Sequence, residues 1–473
     1  MCSIAGAVSK GKKDVFPVLV ELLSFMSHRG PDGFGVAIRG QAVKAKSTKE
    51  LRQKYLPGQF GIGHSLLSIT GHGVQPFSSC DGKSFLCHNG QIYNYLELNN
   101  LLRQKHSFAS TSDSEIILHF LEENRFDPKK FFSASSGVFS CAVSFKDRLV
   151  AFRDVIGEKP LWFGETQEFF VFASIPQALK RIGVAFPQPL EPGFSLSVSK
   201  KGFQVKKVFS ISDFKKTVPK KTSFESLLGA FGESVSLMAK NVSRAGVLFS
   251  GGIDSSVIAK AVSENVHDTC LFTCGVEGSH DLQAADRTAQ VLGLKLVEVV
   301  VAKDEVPQMA LSAASSLFFF DKMQLGIGLP LFGACQEASK KGFRVAFSGQ
   351  GSDEVFCGYS YYIKALQENG FLGVEKEIWS SLERMWHRDL FRDDALSMAN
   401  SVELRLPFLD TQFLKQAMAI PASEKIKSPT DALRKHPMRK IGEKLGLSAE
   451  IVSRPKKAMQ YGSGFARELE KLF

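Results

Sequence analysis

The sequence predicts an α+β part over residues 2–205, a linker over 206–222 and a parallel, doubly wound α/β part over 223–473. Three observations predict this. Gly and Pro punctuate short apolar runs in the first part, leaving few stretches long enough for a helix. From Thr222 onward, short buried-type strands alternate with helix-length segments, the pattern of a parallel sheet with ligands beyond its carboxyl ends. The length, 473 residues, exceeds one ordinary core.

In the first part Gly35–Ile38, Phe85–His88, Val138–Ser144 and Phe169–Ala173 read as strands, being short, apolar and bounded by turn residues. Val15–Met26 and Ser114–Glu123 have the length and pattern of helices. Pro192-Gly193 opens a turn, and the polar, basic run Ser210–Lys221 marks the hinge. In the second part Phe224–Val242 has helical periodicity. Ala245–Phe249 is a buried-type strand that runs into a glycine turn and a helix starting near Asp254. The strand Thr269–Cys274, the helix Gln283–Leu292 and the strands Leu296–Val301 and Arg344–Phe347 continue the alternation.

An apolar fraction of 44% with 23% charged residues describes a globular chain. No stretch approaches the ~20 apolar residues of a membrane span, and Leu311–Phe320 is too short and too rich in Ser and Ala. No cationic and apolar leader precedes Lys10, and none of the eight cysteines forms a C-x-x-C pair, so reduced thiols and a cytoplasmic location are expected. The net charge of +11 draws on pairs such as Lys206-Lys207, Lys215-Lys216 and Lys220-Lys221. These lie in or near the linker, so they read as a solvated segment and no nucleic-acid partner is expected.

Three runs carry chemistry. The first is Met1-Cys2-Ser3-Ile4-Ala5-Gly6. Removing Met1 leaves a thiol and an α-amine on one residue, with pKa values near ~8.5 and ~8, so the amine can act as the thiol's base. The second is Val247-Leu248-Phe249-Ser250-Gly251-Gly252-Ile253-Asp254-Ser255-Ser256, a strand, a glycine turn and a helix start. Its backbone N–H groups and serine hydroxyls suit a polyphosphate at the positive helix end. It lacks the lysine of the G-x-x-x-x-G-K-[ST] loop and is similar to the pyrophosphate loop of the ATP-pyrophosphatase superfamily. The third, Ser348-Gly349-Gln350-Gly351-Ser352-Asp353, follows another strand. Asp254 and Asp353 then sit at the ends of two strands of one sheet, where they can hold magnesium on a polyphosphate.

Together these runs resemble the glutamine-dependent asparagine synthetase family along essentially the whole chain. The resemblance also rests on His28-Arg29-Gly30-Pro31-Asp32, Asn89-Gly90-Gln91-Ile92-Tyr93-Asn94, Asp113-Ser114-Glu115, Ser279-His280-Asp281-Leu282, Arg392-Asp393-Asp394, Leu404-Arg405-Leu406-Pro407 and the Lys456 region. It implies a class II glutamine amidotransferase domain, an N-terminal-nucleophile αββα sandwich, joined to a Rossmann-like ATP-pyrophosphatase domain. ATP and Mg2+ are the implied cofactors, with aspartate and glutamine as the other substrates. A homodimer is compatible with it. The implied roles make Cys2 the nucleophile and Asn89 with Gly90 the oxyanion hole. Arg29 and Asp113 would bind glutamine. Leu248, Ser250, Gly251, Gly252, Asp254, Ser255, Ser256, Cys274, Ser348 and Gly349 would bind ATP, Asp254 and Asp353 the metal, and Lys456 the leaving phosphate.

Three positions depart from the family pattern. Leu66 stands where an arginine usually binds the glutamine carboxylate, and losing that contact costs roughly 1.5–3 kcal/mol, about 10- to 150-fold in binding. Gln91 replaces the usual Glu after Asn-Gly, and Gln350 stands where the family often has Glu. The expected activity is AMP-forming synthesis of asparagine with ammonia released from glutamine. The alternative is an ammonia-dependent or other-substrate amide synthetase with an impaired glutaminase domain.

Overall fold

The strand Ser3–Ser9 is buried along its whole length, as a strand must be when it is covered on both faces. It lies inside a seven-stranded antiparallel sheet, between Phe169–Ala173 and Phe60–Leu66. Gly33–Ile38 and Gln41–Ala45 extend that sheet on one side. A second antiparallel sheet of six strands has Phe85–Ile92, Gly137–Phe145 and Arg148–Arg153 at its centre. Ile4, Val8, Ile62, Cys87, Ala142, Ala151 and Phe172 fill the space between the sheets. The helix Phe16–Phe25 packs on the outside of the first sheet and Glu115–Glu123 on the outside of the second. The layers therefore run helix, sheet, sheet, helix. The computed structural model describes residues 2–69, 73–145, 147–455 and 462–472.

Phenylalanine fills the outer layer of this unit. Phe131 meets Phe139 at 5.3 Å and Phe152 at 6.2 Å between ring centroids, and Phe120 at 5.7 Å. Part of the chain's unusual count of 40 Phe thus goes into core volume.

The chain divides into two units after Lys215. Residues expected in a linker carry structure: the strand Gly202–Lys207 pairs with Phe194–Ser199, and the short helix Ile211–Lys215 buries Phe214. The first unit therefore runs past residue 205.

In the second unit five strands pair in parallel, in the order Lys295–Val301, Asp268–Val276, Arg244–Leu248, Val345–Phe347, Glu403–Arg405. The chain builds outward from Arg244–Leu248 and then returns to lay Val345–Phe347 on its other side. Strand order reverses there, and a crevice opens beyond the strand ends. The helices Ile253–Ser263 and His280–Leu292 follow the first two strands. The helix Lys322–Lys340 packs on Asp268–Val276.

Candidate functional site

Two sites follow from these frameworks, one in each unit. In the first, Cys2 and Asn89 lie in the two facing sheets' strand regions, and the Cys2 backbone nitrogen donates to Asn89 Oδ1 at 3.1 Å. The same amide's Nδ2 is buried and has no hydrogen-bond partner among the described residues. An unspent donor beside a thiol is what an oxyanion requires. Gly90 has φ +150°, and a Cβ there would overlap the carbonyl of Val138 on the neighbouring strand. The Asn-Gly pair is thus fixed by the sheet as well as by its chemistry.

Arg29 is buried, with Nε 3.4 Å from the Cys2 carbonyl oxygen. Asp113 accepts from the Ile92 N–H at 2.7 Å, at the end of the strand that carries Asn89. His64, on the strand beside Ser3–Ser9, has Nε2 3.1 Å from the His88 carbonyl oxygen. Burial pushes it down to about 3, so it stays neutral at physiological pH and is no cationic partner for a carboxylate. Leu66 ends that strand and carries no charge to replace the missing arginine.

The second site is a cavity of about 330 Å³ at the reversal point. Leu248, Ser250, Gly252, Asp254, Ser255, Cys274, Ser348, Gly349 and Asp353 all line it, so residues more than one hundred positions apart in the sequence converge. Ser255 Oγ donates to the Gly252 carbonyl at 3.1 Å and lies 3.4 Å from Ser250 Oγ, closing the loop into a ring. Gly252 caps the helix Ile253–Ser263, whose positive end faces this ring. Two expected ATP contacts do not line the cavity. The Gly251 carbonyl accepts from Arg454 Nη1 at 2.6 Å, and Ser256 is fully buried in the helix. Lys456 lies outside the described residues.

Sequence reasoning missed Lys435. Its ammonium lies 2.6 Å from Asp254 Oδ2 and 2.6 Å from Asp353 Oδ1, and it donates to Ser352 Oγ at 3.3 Å. Ser352 in turn donates to Asp254 Oδ1 at 2.7 Å. The side chain of Lys435 is 1% exposed, so its charge needs both carboxylates. Gly358 makes room for it, because a Cβ there would overlap Asp353 Oδ1 and Lys435 Cε. One cation thus touches both aspartates.

Arg392 and Asp393 line the same cavity as a buried pair at 2.8 Å. Burial raises Asp393 to about 6 despite the adjacent guanidinium. Behind Asp353, burial raises Glu354 to about 7, with the Asp353 charge adding to the effect. Tyr359 donates to Glu354 Oε1 at 2.9 Å.

A glutamine amidotransferase domain matches residues 1–201, and the asparagine synthase family matches residues 226–373 and 368–473. The chain belongs to the asparagine synthetase family. A putative glutamine-hydrolysing asparagine synthetase of Methanocaldococcus jannaschii is 29% identical over 100% of this chain and 95% of its own length. A probable glutamine-hydrolysing asparagine synthetase of Schizosaccharomyces pombe is 29% identical over 90% of this chain and 77% of its own. Among solved structures, a glutamine phosphoribosylpyrophosphate amidotransferase from B. subtilis covers 63% of this chain and 65% of its own, at 20% identity and a TM-score of 0.40, too low to carry an argument.

As a divergent member of the asparagine synthetase family, the chain keeps the ligase's two-domain α/β architecture. No helix among the described residues is long and apolar enough to cross a membrane. Of the cavity residues without an expected role, His280, Asp281, Arg392 and Asp393 belong to motifs already visible in the sequence. Lys435 stands in no such motif. Its only sequence-level trace is a cation two residues before Pro437.

Proposed function

We propose that this chain is a glutamine-hydrolysing, AMP-forming asparagine synthetase. The observation that carries the reading is the cavity at the reversal point, where a glycine-serine ring faces two aspartates held by one buried lysine. That arrangement suits a triphosphate whose α-phosphorus is attacked by a carboxylate.

In the N-terminal-nucleophile domain, removal of Met1 would free the α-amine of Cys2 to take the thiol's proton. The thiolate attacks the glutamine carboxamide, and Asn89 Nδ2 donates to the oxygen that becomes negative. Each such donor contributes roughly 2.7–4 kcal/mol at the tetrahedral intermediate. Collapse expels ammonia, and water then cleaves the thioester to glutamate. The neutral His64 leaves the amine as the base. Asp113 would hold the substrate's α-ammonium.

In the Rossmann-like ATP-pyrophosphatase domain, an aspartate β-carboxylate oxygen attacks the α-phosphorus of ATP and pyrophosphate leaves. Ammonia attacks the acyl carbon of the resulting β-aspartyl-AMP, and AMP departs with the former carboxylate oxygen. Ser250, Gly252 and Ser255 would hold the pyrophosphate, and Lys435 and Lys456 would balance its charge. Asp254 and Asp353 would hold Mg2+, which supplies further charge neutralisation on the phosphates. The backbones of Leu248 and Cys274 would border the adenine, and Ser348 and Gly349 the α-phosphate side.

Pyrophosphate release from ATP that requires aspartate, measured with glutamine and separately with ammonium, tests this reading. Release independent of aspartate would refute it. A second reading is favoured by one position: Leu66 leaves the glutamine carboxylate without its usual guanidinium. On that reading ammonium is the better nitrogen donor at equal concentration.

A further inference from the structure

A cluster of metal-ligating side chains stands in the first unit, on the outer helix layer and apart from Cys2. Cys80, His106, His119 and Glu122 each present one ligand atom, and all four atoms lie within 4.8 Å of one another. Cys80 Sγ is 3.2 Å from His106 Nδ1 and 3.6 Å from His119 Nδ1. Glu122 Oε2 is 3.5 Å from His106 Nδ1 and 2.8 Å from His119 Nδ1. A tetrahedral zinc ion with N, O and S ligands sets their atoms roughly 3.3–3.6 Å apart. We propose that these four side chains form a zinc site.

A carboxylate on the far side of each imidazole supports it. His106 Nε2 lies 3.2 Å from Glu123 Oε1, and His119 Nε2 lies 3.5 Å from Glu115 Oε1. Glu123 holds the Nε2–H of His106 and leaves that ring's Nδ1 lone pair facing the cluster, the orientation that a metal-bound histidine takes, while His119 pairs with Glu122 through Nδ1. His106 Nδ1, His119 Nδ1, Cys80 Sγ and Glu122 Oε2 thus turn toward one point. A divalent cation can take all four as ligands once the thiol proton and the His119 Nδ1 proton have left to solvent. One thiolate, two imidazoles and one carboxylate favour zinc over magnesium or calcium, which take oxygen ligands.

The ligands come from three segments. Cys80 is in the turn between Phe77–Ser78 and Phe85–Ile92, where its N–H donates to Glu122 Oε1 at 3.2 Å. His106 follows the helix Tyr95–Leu102, and His119 and Glu122 lie one turn apart on Glu115–Glu123. Glu115 also accepts from the N–H groups of Ala109 and Ser110, at 2.7 and 2.8 Å. The metal would therefore clamp a hairpin turn and an interhelix segment to one helix.

The test uses the full chain in its Cys2→Ala form, stripped with a chelator and refilled in excess magnesium, which occupies all-oxygen sites. Titration with zinc against a chromophoric chelator is expected to give one tight ion per chain. Cys80→Ser and His106→Gln are each expected to weaken it at least 100-fold. Cobalt on the otherwise unaltered chain is expected to give a thiolate-to-cobalt charge-transfer band that Cys80→Ser abolishes. The presence of the band on the unaltered chain does not depend on whether either variant folds. No stoichiometric uptake, uptake unchanged by both substitutions, or a cobalt spectrum without the thiolate band would overturn the site.

Discussion

The two units prepare for charge in different ways. Around Cys2 the first unit places mostly uncharged groups: the Asn89 amide, the Gly90 backbone and a histidine that burial keeps neutral. Arg29, at the Cys2 carbonyl, is a charged exception. Around its cavity the second unit stores paired charges: Lys435 between Asp254 and Asp353, and Arg392 beside Asp393. The proposed reactions explain the difference. Attack on a carboxamide develops one oxyanion, which a few fixed dipoles can meet. Adenylation rearranges several phosphate charges, which needs cations already in place. A buried lysine held by two carboxylates is such a store.

The largest expected effect separates the units completely. Cys2→Ala should lower glutamine-driven synthesis by about 10⁴-fold or more and leave ammonium-driven synthesis intact, measured as pyrophosphate release with each donor. Equal loss with both donors would break the division. Lys435→Met should lower both activities by ~10³-fold, because it leaves two carboxylates facing the polyphosphate. It should also cost about 3–5 kcal/mol of stability in urea unfolding, since a buried pair loses its partner.

Asn89→Ala should cost ~10²–10³-fold in the kcat of glutamine hydrolysis, with little change in KM. A rise in KM alone would make Asn89 a binding residue. Leu66→Arg sharpens the comparison from the other side. Restoring the guanidinium should raise kcat/KM for glutamine by about 10-fold or more.

The smallest effects are opposite pH slopes. Asp393, at about 6, keeps a proton that the unfolded chain releases near ~4, so its contribution to stability falls as pH rises from about 4 to about 6. His64, at about 3, refuses a proton that the unfolded chain takes up near ~6.5, so its contribution falls as pH drops from about 6.5 towards 3. Asp393→Asn should flatten the first slope and His64→Gln the second, read by denaturant unfolding across pH 4–7.

What the sequence revealed was local. Strand, glycine turn and helix are contiguous in Val247–Ser256, so the loop and its flanking elements were legible from residue order alone. The helix Lys322–Lys340 was not, because Gly326, Gly328, Pro330 and Gly333 imitate a turn. Tertiary packing requires small residues there: a Cβ on Gly328 would overlap Leu396. The three-residue strand Glu403–Arg405 was hidden by its charges, which pair with each other at 2.9 Å in the interior. Lys435 reaches Asp254 across 181 positions, and nothing near it in the chain separates it from the other basic residues. The four candidate zinc ligands were hidden in the same way, since three separate segments supply them.

The most direct measurement follows an oxygen atom. Aspartate labelled with ¹⁸O in its β-carboxylate is incubated with ATP, magnesium and ammonium, and the products are analysed by mass spectrometry. Attack at the α-phosphorus transfers one labelled oxygen to AMP and none to pyrophosphate. Label in inorganic phosphate together with ADP, or AMP formed without label, would contradict the proposed chemistry.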